Sequence, residues 1–266
     1  MDDLGWEDCL ALLQAWIAEE DRPEGPRQFI TLNPEHVMAA RRNPAFRSAI
    51  EAADLVTCDG VGLAWAGRRL DQPLRAVIPG SELMPRLAER LTHSRSRSAD
   101  GAAGTGRGAG PGRPARWYFL GGGPGVAERA AAALVTRHPA LTVAGCHGGS
   151  PRDEDLPAIQ KQLAEAAPID VLWVAYGSPA QELWIHRHRA RLPVQLAIGV
   201  GGAFDFLAGT APRPPAWVKQ AGLIWLYRLL RQPGRWRRQA VLPAFVLRVL
   251  LTAWRGAASD LPKGGS

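Results

Sequence analysis

The stretch "RWYFLGGGPGVAERAAAALVTRH", Arg116 to His138, changes character twice within 23 residues. It opens on an aromatic, apolar run with β-strand character and breaks at Gly121–Gly123 and Pro124-Gly125. It then turns helical, with Val126, Ala130 and Leu134 at four-residue steps. Strand, glycine turn and helix in that order are the first half of a βα unit. Working outward, "RQFITLN", "DLVTCDG", "LTVAG", "DVLWVAYG" and "VQLAIGVGG" read as further strands. The later ones are nearly continuous apolar runs, as expected for strands covered on both faces. Strands alternating with helices predict an α/β fold with a mostly parallel sheet and helices on both sides.

Between the strands, a helical stretch is expected from Pro34 through Ala52, another in "VGLAWAGRRL", and one in "SELMPRLAERL" capped by Ser81. The acidic N-terminus "MDDLGWEDCLALLQAWIAEE" reads as an amphipathic helix and not as a signal peptide. No apolar run approaches the ~20 residues of a membrane span. Cys9, Cys58 and Cys146 have no metal-like spacing and suit a reducing compartment. The segment from Ser94 to Pro114 holds six glycines, with alanine as its only apolar residue type, and is expected to be a disordered surface insert.

The charge is uneven. The chain carries +7 overall, yet Phe206 to Ser259 holds nine Lys or Arg and no acid, which leaves the remainder at 23 basic against 25 acidic residues. The strand pattern stops near Gly209. We therefore expect a core over residues 1–209 and a basic, Trp-rich helical appendage over 210–266. Such a tail calls for an anionic partner: lipid, nucleic acid or a phosphate-bearing ligand.

Candidate site residues gather where strands end, which is where α/β sheets bind ligands. Thr31, Asn33 and Asp59 follow two early strands and are expected at one edge. Asp59 before Gly60 also has the chemistry of a simple turn. Gly121, Gly122 and Gly123 offer amides to a phosphate, although the third glycine of a dinucleotide fingerprint and its ribose-binding acid are missing. Tyr176, Gly177, Gln181 and Glu182 form a second loop, and Glu182 in a first helical turn also suits the helix dipole. Gly202 and Asp205 lie at a further strand end. His186 and His188, two apart on a helix, do not share a face and predict no metal site.

In order and spacing, "TLNPEHVMAA", "ADLVTCDGVGLAWAGR", "PGSELMPRLAERL", "YFLGGGPGVAERAAAAL", "DVLWVAYGSPAQELWI", "IGVGGAFDFLAGTAPRPPAWVKQAGLIWLYRLLRQP" and "RWRRQ" resemble the WecG/TagA/CpsF glycosyltransferases, family 26 of that class. The resemblance implies a Rossmann-like core with a C-terminal appendage that closes the site at the membrane. It also implies inverting, metal-independent transfer from a UDP-sugar, often N-acetylmannosamine or its uronic acid, to a polyprenyl-diphosphate-linked glycan. No cofactor is implied. It matches Asp59 to the proposed general base, Thr31 and Asn33 to pocket residues, Gln181 to the "PxQE" glutamine, and Arg213 and Arg228 to appendage arginines. Tail arginines, among them Arg231, Arg235, Arg237 and Arg238, are expected to face the diphosphate or anionic headgroups, which implies a cytoplasmic protein peripheral on the inner face of the membrane. A homo-oligomer is compatible with this reading.

The chain departs from the family pattern at Ala180, Glu82 and Ile224. It departs again at Val77, where an arginine is expected and Arg75 stands two positions earlier. Two rival readings have their own signatures. An NAD-dependent oxidoreductase would use Gly121–Gly125, against the missing fingerprint. A nucleic-acid-binding protein would stack bases on the tail's Trp rings, but "AVLPAFVLRVLLTAW" suits lipid better, and no nucleic-acid partner is expected.

Overall fold

A computed structural model describes residues 1–19, 25–98, 114–212, 214, 215, 217, 218, 221–231, 234 and 236–259. Six parallel strands form one sheet: β1 (Arg27–Leu32), β2 (Leu55–Cys58), β3 (Arg116–Gly121), β4 (Thr142–His147), β5 (Ile169–Ala175) and β6 (Val194–Gly199), in the order β2-β1-β6-β5-β3-β4. Every strand singled out in the sequence is present.

Alternation along the strands sends side chains to two layers. Phe29, Trp117, Phe119, Val171, Trp173, Leu196 and Ile198 pack on one face against α1 (Trp6–Ala18), α5 (Gly80–Ser98), α6 (Val126–Arg137) and α9 (Ala203–Leu207). Tyr118, Leu120, Leu172, Val174 and Ala197 pack on the other against α7 (Leu156–Ala166) and α8 (Ala180–His188). Trp117 and Trp173, both fully buried, meet with ring centroids 4.9 Å apart. Burying a large apolar side chain contributes about 1.5–3 kcal/mol, so these layers hold the strand ends in place.

Two local expectations are corrected. The helical stretch from Pro34 to Ala52 is two helices, α2 (Pro34–Ala40) and α3 (Pro44–Glu51), because Asn43 Oδ1 accepts the N–H of Phe46 at 3.1 Å and Pro44 starts a new helix. Helix α5 begins at Gly80, so Ser81 lies inside it; the Pro79 carbonyl accepts the N–H groups of Glu82 and Leu83 at 2.9 and 3.1 Å and does the capping. That helix also runs on through Ser98, into the start of the expected insert, whose residues 99–113 lie outside the described residues.

After Gly209 come α10 (Ile224–Arg231), α11 (Trp236–Gln239) and α12 (Leu242–Ser259), without a strand among the described residues. Phe245 and Val249 of α12 bury against Met38 of α2 and against Leu63, Ala64 and Ala66 of α4 (Val61–Arg69). Among the described residues no helix is long and apolar enough to cross a membrane.

Candidate active site

The chain leaves β3 toward β4 on one side and leaves β5 toward β6 on the other. Neighbouring strands with diverging connections leave a crevice beyond their C-terminal ends. Gly121–Gly123 and Tyr176–Gly177 flank it, with Gly121 paired to Ala175 and the Gly122 N–H on the Ala175 carbonyl at 3.1 Å. Along the same sheet edge follow Gly201 and Gly202, then Thr31 and Asn33, then Asp59. Four strand spacings separate the glycine turn from Asp59, about 19 Å at roughly 4.8 Å per strand.

At the Asp59 end, the β1–β2 register pairs Thr31 with Thr57 and Leu32 with Cys58. The Asp59 N–H donates to the Leu32 carbonyl at 2.6 Å, which extends the ladder one step and sets Asp59 beside Asn33. Asp59 and Asn33 are both half-buried. Gly60, at φ 96°, makes the turn into α4 that an L-residue resists. Asn33 caps α2, its Oδ1 accepting from His36 N–H at 3.0 Å. Thr31 is buried, and a Cβ added at Gly80 would lie 3.2 Å from its hydroxyl oxygen. The three polar residues expected at one edge are thus brought together.

Gln181 and Glu182 are not at the surface of the first helical turn. They are 3% and 1% exposed. Gln181 Oε1 accepts both Gly177 N–H (3.1 Å) and Gly201 N–H (3.0 Å), and its Nε2 donates to Glu182 Oε1 at 2.7 Å. The amide lies so close to the end of β6 that a Cβ at Gly199 would come within 2.7 Å of Nε2. Gln28 of β1 donates to the Glu182 carbonyl at 2.9 Å. Tyr176 packs edge-on to Trp184 at 5.7 Å, its hydroxyl buried with no partner among the described residues, and burial raises its pKa. Asp205 accepts from the Thr210 hydroxyl at 3.2 Å.

Sequence reasoning passed over His36. It is buried on α2, and burial holds its pKa below the ordinary value, against the pull of Glu182 and Glu35. The adjacent Glu35 pairs with Arg238 at 3.0 Å, so Arg238 ties α11 to α2. Arg231 lies over the Tyr227 ring at 5.6 Å. Arg228 and Arg237 lie on α10 and α11, while Arg213 and Arg235 fall outside the described residues. Arg75 pairs with Asp8 of α1 at 3.2 Å, and Val77 packs in the cluster under α12. Also passed over was Asp153-Glu154-Asp155, an acid pair with one residue between, in the turn after β4. Asp153 is engaged by Arg187 at 3.1 Å and faces His188 at 3.5 Å. Among the described residues no cluster of three or more His, Cys, Asp or Glu is arranged to hold a metal ion.

The sequence matches the profile of the Glycosyl transferase WecG/TagA/CpsF family over residues 1–100 and 108–259. Among curated relatives, the N-acetylglucosaminyldiphosphoundecaprenol N-acetyl-beta-D-mannosaminyltransferase of Bacillus spizizenii is 29% identical over 222 residues, covering 84% of this chain and 78% of that protein. The proteins of the same name from Bacillus subtilis and Staphylococcus aureus (strain MRSA252) are also 29% identical, over 83% of this chain and 77% and 78% of theirs. With a parallel α/β sheet, a polar strand-end crevice and a family match running through nearly the whole sequence, the chain belongs to the WecG/TagA/CpsF family of glycosyltransferases.

Proposed function

We propose that this glycosyltransferase moves a sugar of the N-acetylmannosamine type, its uronic acid or another hexose from a UDP-sugar to a polyprenyl-diphosphate-linked glycan in surface polysaccharide synthesis. Transfer inverts the anomeric centre and uses no metal. The observation that carries this reading is the shared C-terminal edge of the parallel sheet, with the glycine turn after β3 along it and Asp59 beside Asn33 at the ends of β2 and β1. The donor lies along the strand ends, its nucleoside toward Gly121–Gly123 and its diphosphate toward the starts of α8 and α9, where backbone N–H groups favour an anion and the anomeric carbon comes within reach of Asp59. The acceptor hydroxyl lies toward Asp59. Its carboxylate removes the hydroxyl proton as the oxygen attacks the anomeric carbon from the side opposite the leaving UDP.

Charge that builds on the diphosphate needs guanidinium partners, which bond phosphate oxygens in pairs. Arg213 and Arg228 take this role. Arg231, Arg235 and Arg237 face anionic headgroups, while Arg238 holds the appendage to α2. Leu247, Leu250, Leu251 and Trp254 recur at helical spacing on α12 and are all exposed, opposite the buried Phe245 and Val249. That stripe suits the interfacial layer of a membrane, with the protein peripheral on its cytoplasmic face. The test is a transfer assay with a panel of UDP-sugars, NAD and single-stranded DNA as competing ligands, and a lipid-diphosphate acceptor. Product from one UDP-sugar supports the reading; binding of NAD or DNA without product counts against it.

A further inference from the structure

Gln181 and Glu182 stand in the middle of the crevice, between the loops that end β5 and β6, yet neither side chain reaches its surface. What they do is therefore done from inside. Gly177 N–H and Gly201 N–H are both donors, so only an oxygen can face them. The Gln181 amide has one oxygen and one NH2 group of nearly the same shape, so packing against Gly199 does not choose between its two orientations. Polarity does. An acceptor on the far side draws the NH2 group away from the loops, and Glu182 Oε1, 2.7 Å away, is that acceptor.

We infer that Glu182 is a positioning residue: together with the two N–H donors it fixes the direction of the Gln181 amide, and the oriented amide bolts the β5 and β6 loops together at the spacing a donor needs. This deepens the glycosyltransferase reading and rests on it for the word donor; the bolt itself does not. Gln181 then serves ligand binding by holding Gly177 and Gly201, not by touching the ligand.

The test reverses the polarity of the pair. In Gln181→Glu, one carboxylate oxygen still faces the two N–H groups, but the other meets Glu182 acceptor to acceptor. Adding Glu182→Gln supplies an NH2 group in place of that repulsion, so the double variant restores the pattern with donor and acceptor exchanged. Glu182→Gln alone keeps an acceptor for Gln181 and leaves the two N–H donors to set the direction, and falls between wild type and Gln181→Glu. Two readouts are taken on the full chain. Amide hydrogen exchange at Gly177 and Gly201 should speed up by roughly tenfold or more in Gln181→Glu and return toward wild type in the double variant. The UDP-sugar KM should rise by about tenfold in Gln181→Glu, with a smaller change in kcat, and recover in the double variant. A double variant no better than Gln181→Glu in exchange overturns the inference. Should Gln181→Glu fail to fold, a folded double variant counts as rescue and an unfolded one counts against it. A wild-type protein that transfers no sugar sinks the glycosyltransferase reading but leaves the exchange result standing.

Discussion

The backbone N–H of Asp59 donates to the carbonyl of Leu32 at 2.6 Å, one residue past the last register pair of β1 and β2. The bond does not involve the carboxyl group, so it survives in Asp59→Asn, which removes the base. We expect kcat to fall by ~10²–10⁴-fold, with donor affinity close to wild type. Turnover at the wild-type rate in this variant removes Asp59 from the mechanism.

Activity should survive EDTA. The proposed mechanism assigns the leaving diphosphate to backbone amides and arginines. Chelation that abolishes transfer, with recovery on adding manganese or magnesium, would point instead to Asp153 and Asp155 beyond β4, which have the spacing of a metal-binding acid pair.

The two sides of α12 should respond differently. Phe245 is buried against α2 and α4, so Phe245→Ala should cost about 3 kcal/mol of stability. Leu247 and Trp254 are 58% and 69% exposed, and replacing both with serine should leave the melting temperature nearly unchanged. That double variant should weaken binding to anionic vesicles by at least about tenfold, since burying one large apolar side chain is worth about 1.5–3 kcal/mol. Unchanged vesicle binding would count against the lipid-facing stripe.

Burial lowers the pKa values of His36 and His188 from 6.5. A histidine with a depressed folded pKa takes up its proton more readily when unfolded, so stability falls as pH drops below about 6.5 and continues to fall until the folded group titrates. Melting temperature measured from pH 8 down to 5 should show this slope, and His36→Gln should flatten it. An equal slope in the variant would mean that other groups dominate acid unfolding.

Most of the fold was legible because parallel strands buried on both faces write continuous apolar runs, as "DVLWVA" does. The edge formed by Thr31, Asn33 and Asp59 was legible too, since strand ends and register follow from the same pattern. The inward turn of Gln181 and Glu182 was not. In sequence they look like polar residues in an exposed first turn. Only the folded chain brings Gly201 N–H, twenty positions later, within 3.0 Å of Gln181. The pairing of Glu35 with Arg238 was hidden for the same reason, as was Arg75's engagement by Asp8. The split between α2 and α3 carried a signal, Asn43-Pro44, that the helical spacing on either side masked.

The proposed inverting transfer is tested by the anomeric configuration of the product made from UDP-N-acetylmannosamine and N-acetylglucosaminyl-diphosphate lipid, by wild type and by Asp59→Asn. We expect a β-linked N-acetylmannosaminyl product from wild type, formed with inversion, and almost none from Asp59→Asn. An α-linked product would contradict the inverting mechanism. No product from any UDP-sugar in the panel would contradict the proposed reaction itself.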